Sequence, residues 1–490
     1  MKLLDRLKDP CKIKIFILTL LFLGGGYQIK YAIDTFYTFH KGFAWAAEDM
    51  LYRNGRPVMA LMYRLFAMTH MRNEAFYYIS YVIAFVFAGL SVYLFESILK
   101  RYIDNENICI ILSFLSIINV YTIEYFMFIE QGGFMIAIFL NILAVWFLNI
   151  YLAEHKKINI VYATLSILIG LLTYQSTIAL YFILMLPFIW HEAKTFKDYI
   201  KSFGILVILY WIPVGLYLMM FKMFFSDMRV STETKVIQKI SKIDDIVKYS
   251  FKTTYHLLPE YFYLCLLVGI IAISIVSIIY FKLRYIETLN LMIILLTSSI
   301  LPVGSVLVAD SWGAPRIIYP MMSIVGVYGI NYYLNICENT SATKLENISK
   351  GTIIFLSLLL LFSQYLSYTN IYNDKYEMNY ADRVRVQEIG QAIYEYEVTT
   401  GNKIIQITFY RDFNHKVPFY DDIYSESDLV VSAFHSWDSQ LNVINYYLGT
   451  HYKRGAEDTY YKDYFSKLDW NSYSPSQIVC DKDTLHYCVY

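Results

Sequence analysis

AFYYISYVIAFVFAGLSVYLFES, residues 75–97, carries no charged side chain before Glu96. A helix needs about 20 mostly apolar residues to cross the hydrocarbon core of a bilayer, and this stretch supplies them. Reading outward, similar stretches lie at 13–33, 106–123, 126–152, 159–173, 176–190, 200–224, 260–281, 288–308, 317–335 and 352–369, about eleven spans in all. Backbone groups in lipid must be satisfied within their own segment, so each stretch is predicted to be a helix. The first is followed by no small-residue cleavage site and reads as a retained anchor.

Composition agrees with this reading. Of the 490 residues 57% are hydrophobic and 17% charged, against about 25% charged in soluble domains. The 41 basic and 41 acidic side chains cancel, which removes the electrostatic case for a nucleic-acid partner. Six cysteines are too few for a disulfide scaffold. Cys480 and Cys488, in CDKDTLHYC, read equally as a bridged hairpin and as two thiols.

Lys and Arg in short loops set the orientation. With a cytoplasmic N-terminus, Lys2, Arg6, Lys8, Lys12 and Lys14 lie inside, as do Lys100/Arg101, Lys156/Lys157, Lys194/Lys197, Lys282/Arg284 and Lys344/Lys350. The short loops then assigned outside, near 124–126, 173–176 and 309–316, hold one basic residue, Arg316. Segments 34–73, 225–258 and 370–490 fall on the same outer side. The chain thus divides into a membrane domain, 1–369, and an extracytoplasmic tail, 370–490. The tail has 11 basic and 18 acidic residues, a net charge of −7. KIIQITFY (403–410), DLVVSAF (428–434) and QIVC (477–480) read as strands, and 376–399 and 437–448 as helices, giving a small α/β domain.

The first outer loop, 34–73, holds the most unusual chemistry. Asp34 stands at the end of the first span, where an ionisable group is costly near hydrocarbon; it reads equally as a functional group and as a solvated helix end. Glu48 and Asp49 follow, then Asn54-Gly55-Arg56-Pro57, and apolar spacing over 57–71 predicts a helix along the membrane surface. Glu130 and Gln131 open the fourth span, where an acid is tolerated at a helix start. Tyr174-Gln175-Ser176 joins the fifth and sixth spans in a turn whose Gln has carbonyls to bond. Arg316, in DSWGAPR, is a permanent cation whose fork matches phosphate; a salt bridge to Asp310 or a lipid headgroup is the alternative. The chain contains no Walker-type loop, paired CxxC or HExxH.

Asp34, the Asn54-Gly55-Arg56-Pro57 run, Tyr174-Gln175-Ser176 and Pro315-Arg316 together resemble the serotype-converting Gtr type II glucosyltransferases, polytopic enzymes related to the GT-C architecture. The resemblance spans most of the membrane part and no part of the tail. It implies a polyprenyl-phosphate-linked donor, undecaprenyl-phosphate glucose or another hexose, and transfer to a cell-surface polysaccharide on the outer face of the cytoplasmic (inner) membrane. It maps the catalytic carboxylate to Asp34, with Glu48 and Asp49 as second candidates, and substrate binding to Arg56, Glu130, Tyr174, Gln175 and Arg316. The implied partners are the lipid donor, the polysaccharide acceptor, membrane lipid, a polyprenyl-phosphate glucosyltransferase and a flippase. No cofactor is predicted; a divalent cation is open in the family, and the chain shows no complete ligand set. A lipid-linked sugar flippase or transporter, a polysaccharide polymerase and a non-catalytic assembly protein are the competing readings. The tail's aromatics, Phe409, Tyr410, Phe419, Tyr420, Trp437, Tyr446 and Tyr447, read either as a surface that holds the acceptor or as a packing core.

Overall fold

The computed structural model describes residues 10–193, 195–224, 243–252, 259, 261–281, 285–308, 314–337, 343–411, 431–434, 436–468 and 474–489. The chain is mostly helical, with one small sheet. Its contacts divide it into two units, residues 1–28 with 46–369, and residues 29–45 with 370–490.

In the first unit, hydropathy and helix length agree over most of the chain. Among the described residues, eight helices are long and apolar enough to cross a membrane: Pro10–Tyr27, Asn73–Leu99, Gln131–Glu154, Phe196–Met220, Phe262–Ile279, Glu287–Gly304, Pro315–Leu334 and Lys350–Thr400. The stretches expected at 106–123, 159–173 and 176–190 fall on shorter apolar helices, Glu106–Ile117, Ile158–Thr173 and Gln175–His191. Glu106–Ile117 stops because Asn119 diverts the chain: its Oδ1 accepts from Tyr121 N (3.0 Å), and its Nδ2 donates to Tyr319 O and Ser323 Oγ (both 3.2 Å).

Large apolar side chains stand exposed along several long helices, among them Phe16, Val82, Trp211, Ile279 and Phe355. In water such a surface would be a liability; in lipid it is the natural outer layer. The segment Pro315–Leu334 is the exception, with most of its residues buried. There Gly326 sits so close to Glu106–Ile117 that an added Cβ would come 2.8 Å from Ser116 Cα.

The second unit is built on a four-stranded sheet of β1 (Gln406–Arg411), β2 (Lys453–Arg454), β3 (Ile478–Asp481) and β4 (Thr484–Val489), in the order β2-β1-β4-β3. β1 runs parallel to β2 and β4, while β3 and β4 pair antiparallel. A parallel neighbour requires a crossover, and between β1 and β2 the chain passes through the helix Trp437–Leu448. Ile407, Phe409, Leu485, Tyr487 and Val489 form a core with Val386, Ile389 and Ile393 of the helix Thr343–Thr400 and with Val443 and Ile444. Phe36, from the helix Ile33–Lys41, joins the same core. Tyr410 and Cys488 pack with Phe465 in a separate, smaller cluster.

One expectation changes here, and one open alternative closes. Only the end of DLVVSAF, 431–434, is described, and it forms a turn rather than a strand. Buried Asp382 holds that turn, accepting from Ser432 Oγ (2.5 Å) and Ala433 N (2.8 Å). No disulfide joins Cys480 and Cys488; the residue opposite Cys480 across the β3–β4 ladder is Leu485.

Candidate functional site

The site in the first unit begins with a turn. After the helix Phe43–Glu48 the chain makes one π-helical turn, Asp49–Arg53, and restarts as the helix Pro57–Ala67 with proline in its first position. Asp49 closes the turn. Its carboxylate pairs with Arg53 Nη1 (3.3 Å) and accepts from Asn54 Nδ2 (2.7 Å), and its carbonyl accepts from Asn54 N (3.1 Å). Gly55 then takes φ +68°, a conformation that costs glycine little, and Arg56 N returns to Met50 O (2.8 Å). Asp49 therefore shapes the loop that presents Arg56. Glu48 is exposed at the end of its helix.

Gln175 meets this loop from far along the chain. Its Oε1 accepts from Arg56 Nε (3.2 Å), and its Nε2 lies within donating distance of Asn54 O (3.0 Å), Gly55 O (3.1 Å) and Tyr217 Oη (2.6 Å). The carbonyls it bonds belong to the Asn-Gly-Arg-Pro loop. Next to it, buried Tyr174 places its ring under Arg56, with Cζ 4.6 Å from the centroid. Cation–π contacts of this kind gain strength as water is excluded.

Arg316 approaches the same aromatic cluster on the short helix Pro315–Ile318. Its Nη1 lies 2.5 Å from Glu124 Oε1, the other Glu124 oxygen accepts from Arg316 N, and Tyr125 Oη donates to Arg316 O (2.7 Å). The guanidinium lies 4.7 Å over Phe128. Glu124 is wholly buried, while the Arg316 side chain keeps 19% of its surface exposed. Asp310, considered as its partner from sequence, is outside the described residues. Rings join the two arginines: Phe134 packs on Tyr174 (4.6 Å between centroids), Tyr125 on Phe134 (5.0 Å) and Phe128 on Phe134 (6.3 Å). Burial raises the Tyr174 phenol above its ordinary pKa, and both Arg56 and Arg316 pull it back down.

The structure thus gathers Arg56, Tyr174, Gln175 and Arg316. Glu130 immediately precedes the helix Gln131–Glu154 and accepts from Tyr63 Oη at 2.6 Å. Asp34 belongs to the second unit, in the first turn of the helix Ile33–Lys41, with its side chain exposed. Two contributors escaped the sequence reading. Tyr217 had no signal, being one tyrosine among 48. Glu124 had one: it is a lone acid between two apolar runs, where an ionisable group is expensive. Among the described residues, no three His, Cys, Asp or Glu side chains come together as a metal site. The chain matches no protein-family model and no curated protein.

Proposed function

We propose that this protein is a GT-C-like membrane glycosyltransferase of the Gtr type II kind. In this reading it moves glucose or another hexose from a polyprenyl-phosphate-linked donor to a cell-surface polysaccharide: an O-antigen, teichoic acid or wall glycan. It works at the outer face of the cytoplasmic membrane, with a cytoplasmic N-terminus and an extracytoplasmic α/β tail. One observation carries the reading: two guanidinium groups, Arg56 and Arg316, are fixed on a single aromatic cluster in a unit of apolar helices. Such an arrangement suits a phosphate attached to a lipid, because planar forks match phosphate oxygens and partial burial strengthens the attraction.

In the proposed step an acceptor hydroxyl oxygen bonds to the anomeric carbon as the bond from that carbon to the phosphate oxygen breaks. The hydroxyl proton passes to a first-loop carboxylate. The lipid phosphate leaves with the electron pair, and Arg56 and Arg316 stabilise its growing charge. Gln175 holds Arg56 in place, and Glu124 does the same for Arg316. Asp34, Glu48 and Asp49 are the candidates for the base, and Asp49 also holds Arg53 and Asn54. Inversion at the anomeric carbon follows by analogy with the GT-C architecture.

The test is transfer of labelled glucose from polyprenyl-phosphate glucose to host surface glycan by the purified protein, with Asp34→Asn and Glu48→Gln beside the wild type. Transfer that disappears in one variant identifies the base. Absence of transfer by the folded wild type, with matched donor and glycan, would discard the transferase in favour of a flippase or transporter. A requirement for an oligosaccharide-diphosphate donor would indicate a polymerase. Repeating the assay with a chelator reads whether a divalent cation takes part.

A further inference from the structure

Tryptophan is largely buried on average in folded proteins, yet Trp437 of the second unit exposes 58% of its surface. Other tail aromatics follow the rule: Phe409 and Tyr410 are buried, and Tyr446 and Tyr447 are half-buried against the main core. Phe419 and Tyr420 lie outside the described residues. Trp437 is exposed in a fixed position. The guanidinium of Arg454 lies 3.6 Å from the indole centroid and 4.7 Å from the ring of Phe409. Arg454 Nη2 donates to Trp437 O (2.7 Å) and to Gln440 Oε1 (2.8 Å), so the cation is tied to the helix that carries the tryptophan. β1 supplies Phe409, β2 supplies Arg454, and the first residue of Trp437–Leu448 supplies the indole. With Arg454 on one face, the exposed area belongs to the other.

A flat apolar plate held still on a polar surface is a preorganised binding element, because its ordering cost is met in folding. The ligand it fits has one apolar flat face and polar edges, and a pyranose ring has both: axial C–H groups on a face and hydroxyls around the rim. Other partners fit less well. A protein interface needs roughly 1,000 Å² or more of complementary surface, whereas this is one ring at a polar helix start. The tail's net charge of −7 opposes an anionic bilayer surface.

We propose that the outward face of Trp437 is a stacking platform for a pyranose ring of a neutral glycan. The proposal draws on the second unit alone and stands whether or not the first unit transfers sugar. Its test uses the full chain in lipid nanodiscs, since sugar-headed detergents would compete. Maltoheptaose and cellohexaose serve as α- and β-linked neutral probes, and saturation-transfer NMR reads which ring protons touch the protein. Wild type should bind at least one probe in the millimolar range. Trp437→Ala should weaken binding about tenfold, the equivalent of 1.4 kcal/mol, Trp437→Tyr should retain most of it, and Arg454→Lys should fall between. Matching far-UV spectra and melting temperatures check that the variants fold. Equal binding by wild type and Trp437→Ala, or no binding of either probe by wild type, would overturn the proposal. A component of brominated-lipid fluorescence quenching that Trp437→Ala removes, with no sugar response, would make the residue a membrane anchor instead.

Discussion

Arg316 and Arg454 hold guanidinium groups on aromatic rings in two different units, and the oxygens they bond separate them. Arg316 faces a wholly buried carboxylate, Glu124, which also takes its main-chain N–H, and its side chain keeps 19% of its surface open. Arg454 donates to neutral oxygens, Trp437 O and Gln440 Oε1, and in its stack the exposed member is the tryptophan. A cation oriented by a buried anion presents charge; a cation laid under an indole presents the indole. The same side chain thus works as an electrostatic group in one unit and as a structural plate in the other.

Arg316→Lys tests that difference with the largest expected effect. Lysine keeps the charge but loses the planar fork, and the proposed transfer should fall by about 100-fold or more, while glycan binding by the second unit stays unchanged. Full activity in Arg316→Lys would erase the distinction between the two arginines. Glu124→Gln comes next. Leaving Arg316 without its buried anion should cost on the order of 3 kcal/mol, read as a lower melting temperature, and should raise the KM for the donor more than it lowers kcat. Glu124→Asp, which restores the charge at a shorter reach, should recover part of both.

Gln175→Ala should cost about 1–2 kcal/mol and lower transfer roughly tenfold, because Arg56 loses its acceptor and the Asn54-Gly55 carbonyls lose their donor. Unchanged kinetics and unchanged stability would remove Gln175 from the positioning set. The smallest effect belongs to the second unit. His486 is buried, with Nδ1 2.9 Å from Tyr410 Oη and its ring stacked 3.6 Å from Tyr461. Burial lowers its pKa below the ordinary 6.5, Asp458 and Asp481 opposing this only in part. The fold therefore prefers the neutral ring: its stabilisation is complete above pH 6.5 and is lost as pH falls through the lowered value. Protection factors of β4 amides, corrected for intrinsic exchange, should fall on acidification, and His486→Phe should flatten that dependence.

Hydropathy made the membrane part legible because lipid imposes one simple demand on a helix; residues 75–97 and the helix Asn73–Leu99 agree within a few positions. It was less informative wherever a polar side chain redirects the chain. Asn119 ends a run that composition alone extends to 123. β4 went unread because TLHYCV is short and carries Thr484 and His486, polar side chains that do not announce a strand with all six residues buried. The candidate site shows the same limit. Arg56 and Gln175 each stood out, but their hydrogen bond joins positions 119 residues apart, and no local pattern encodes such a meeting. Asp49 carried an unusual local pattern too, yet its carboxylate serves its own turn.

Gly326 has a consequence at the level of the gene. Every codon change that replaces glycine with another amino acid adds a Cβ, and beside Ser116 there is no room for one. Serine or alanine, conservative elsewhere, should be excluded there as firmly as tryptophan. In a saturation library selected for a folded product, codon 326 should stand as a gap filled by glycine alone, whereas exposed positions such as Val82 and Ile279 should accept almost any apolar residue.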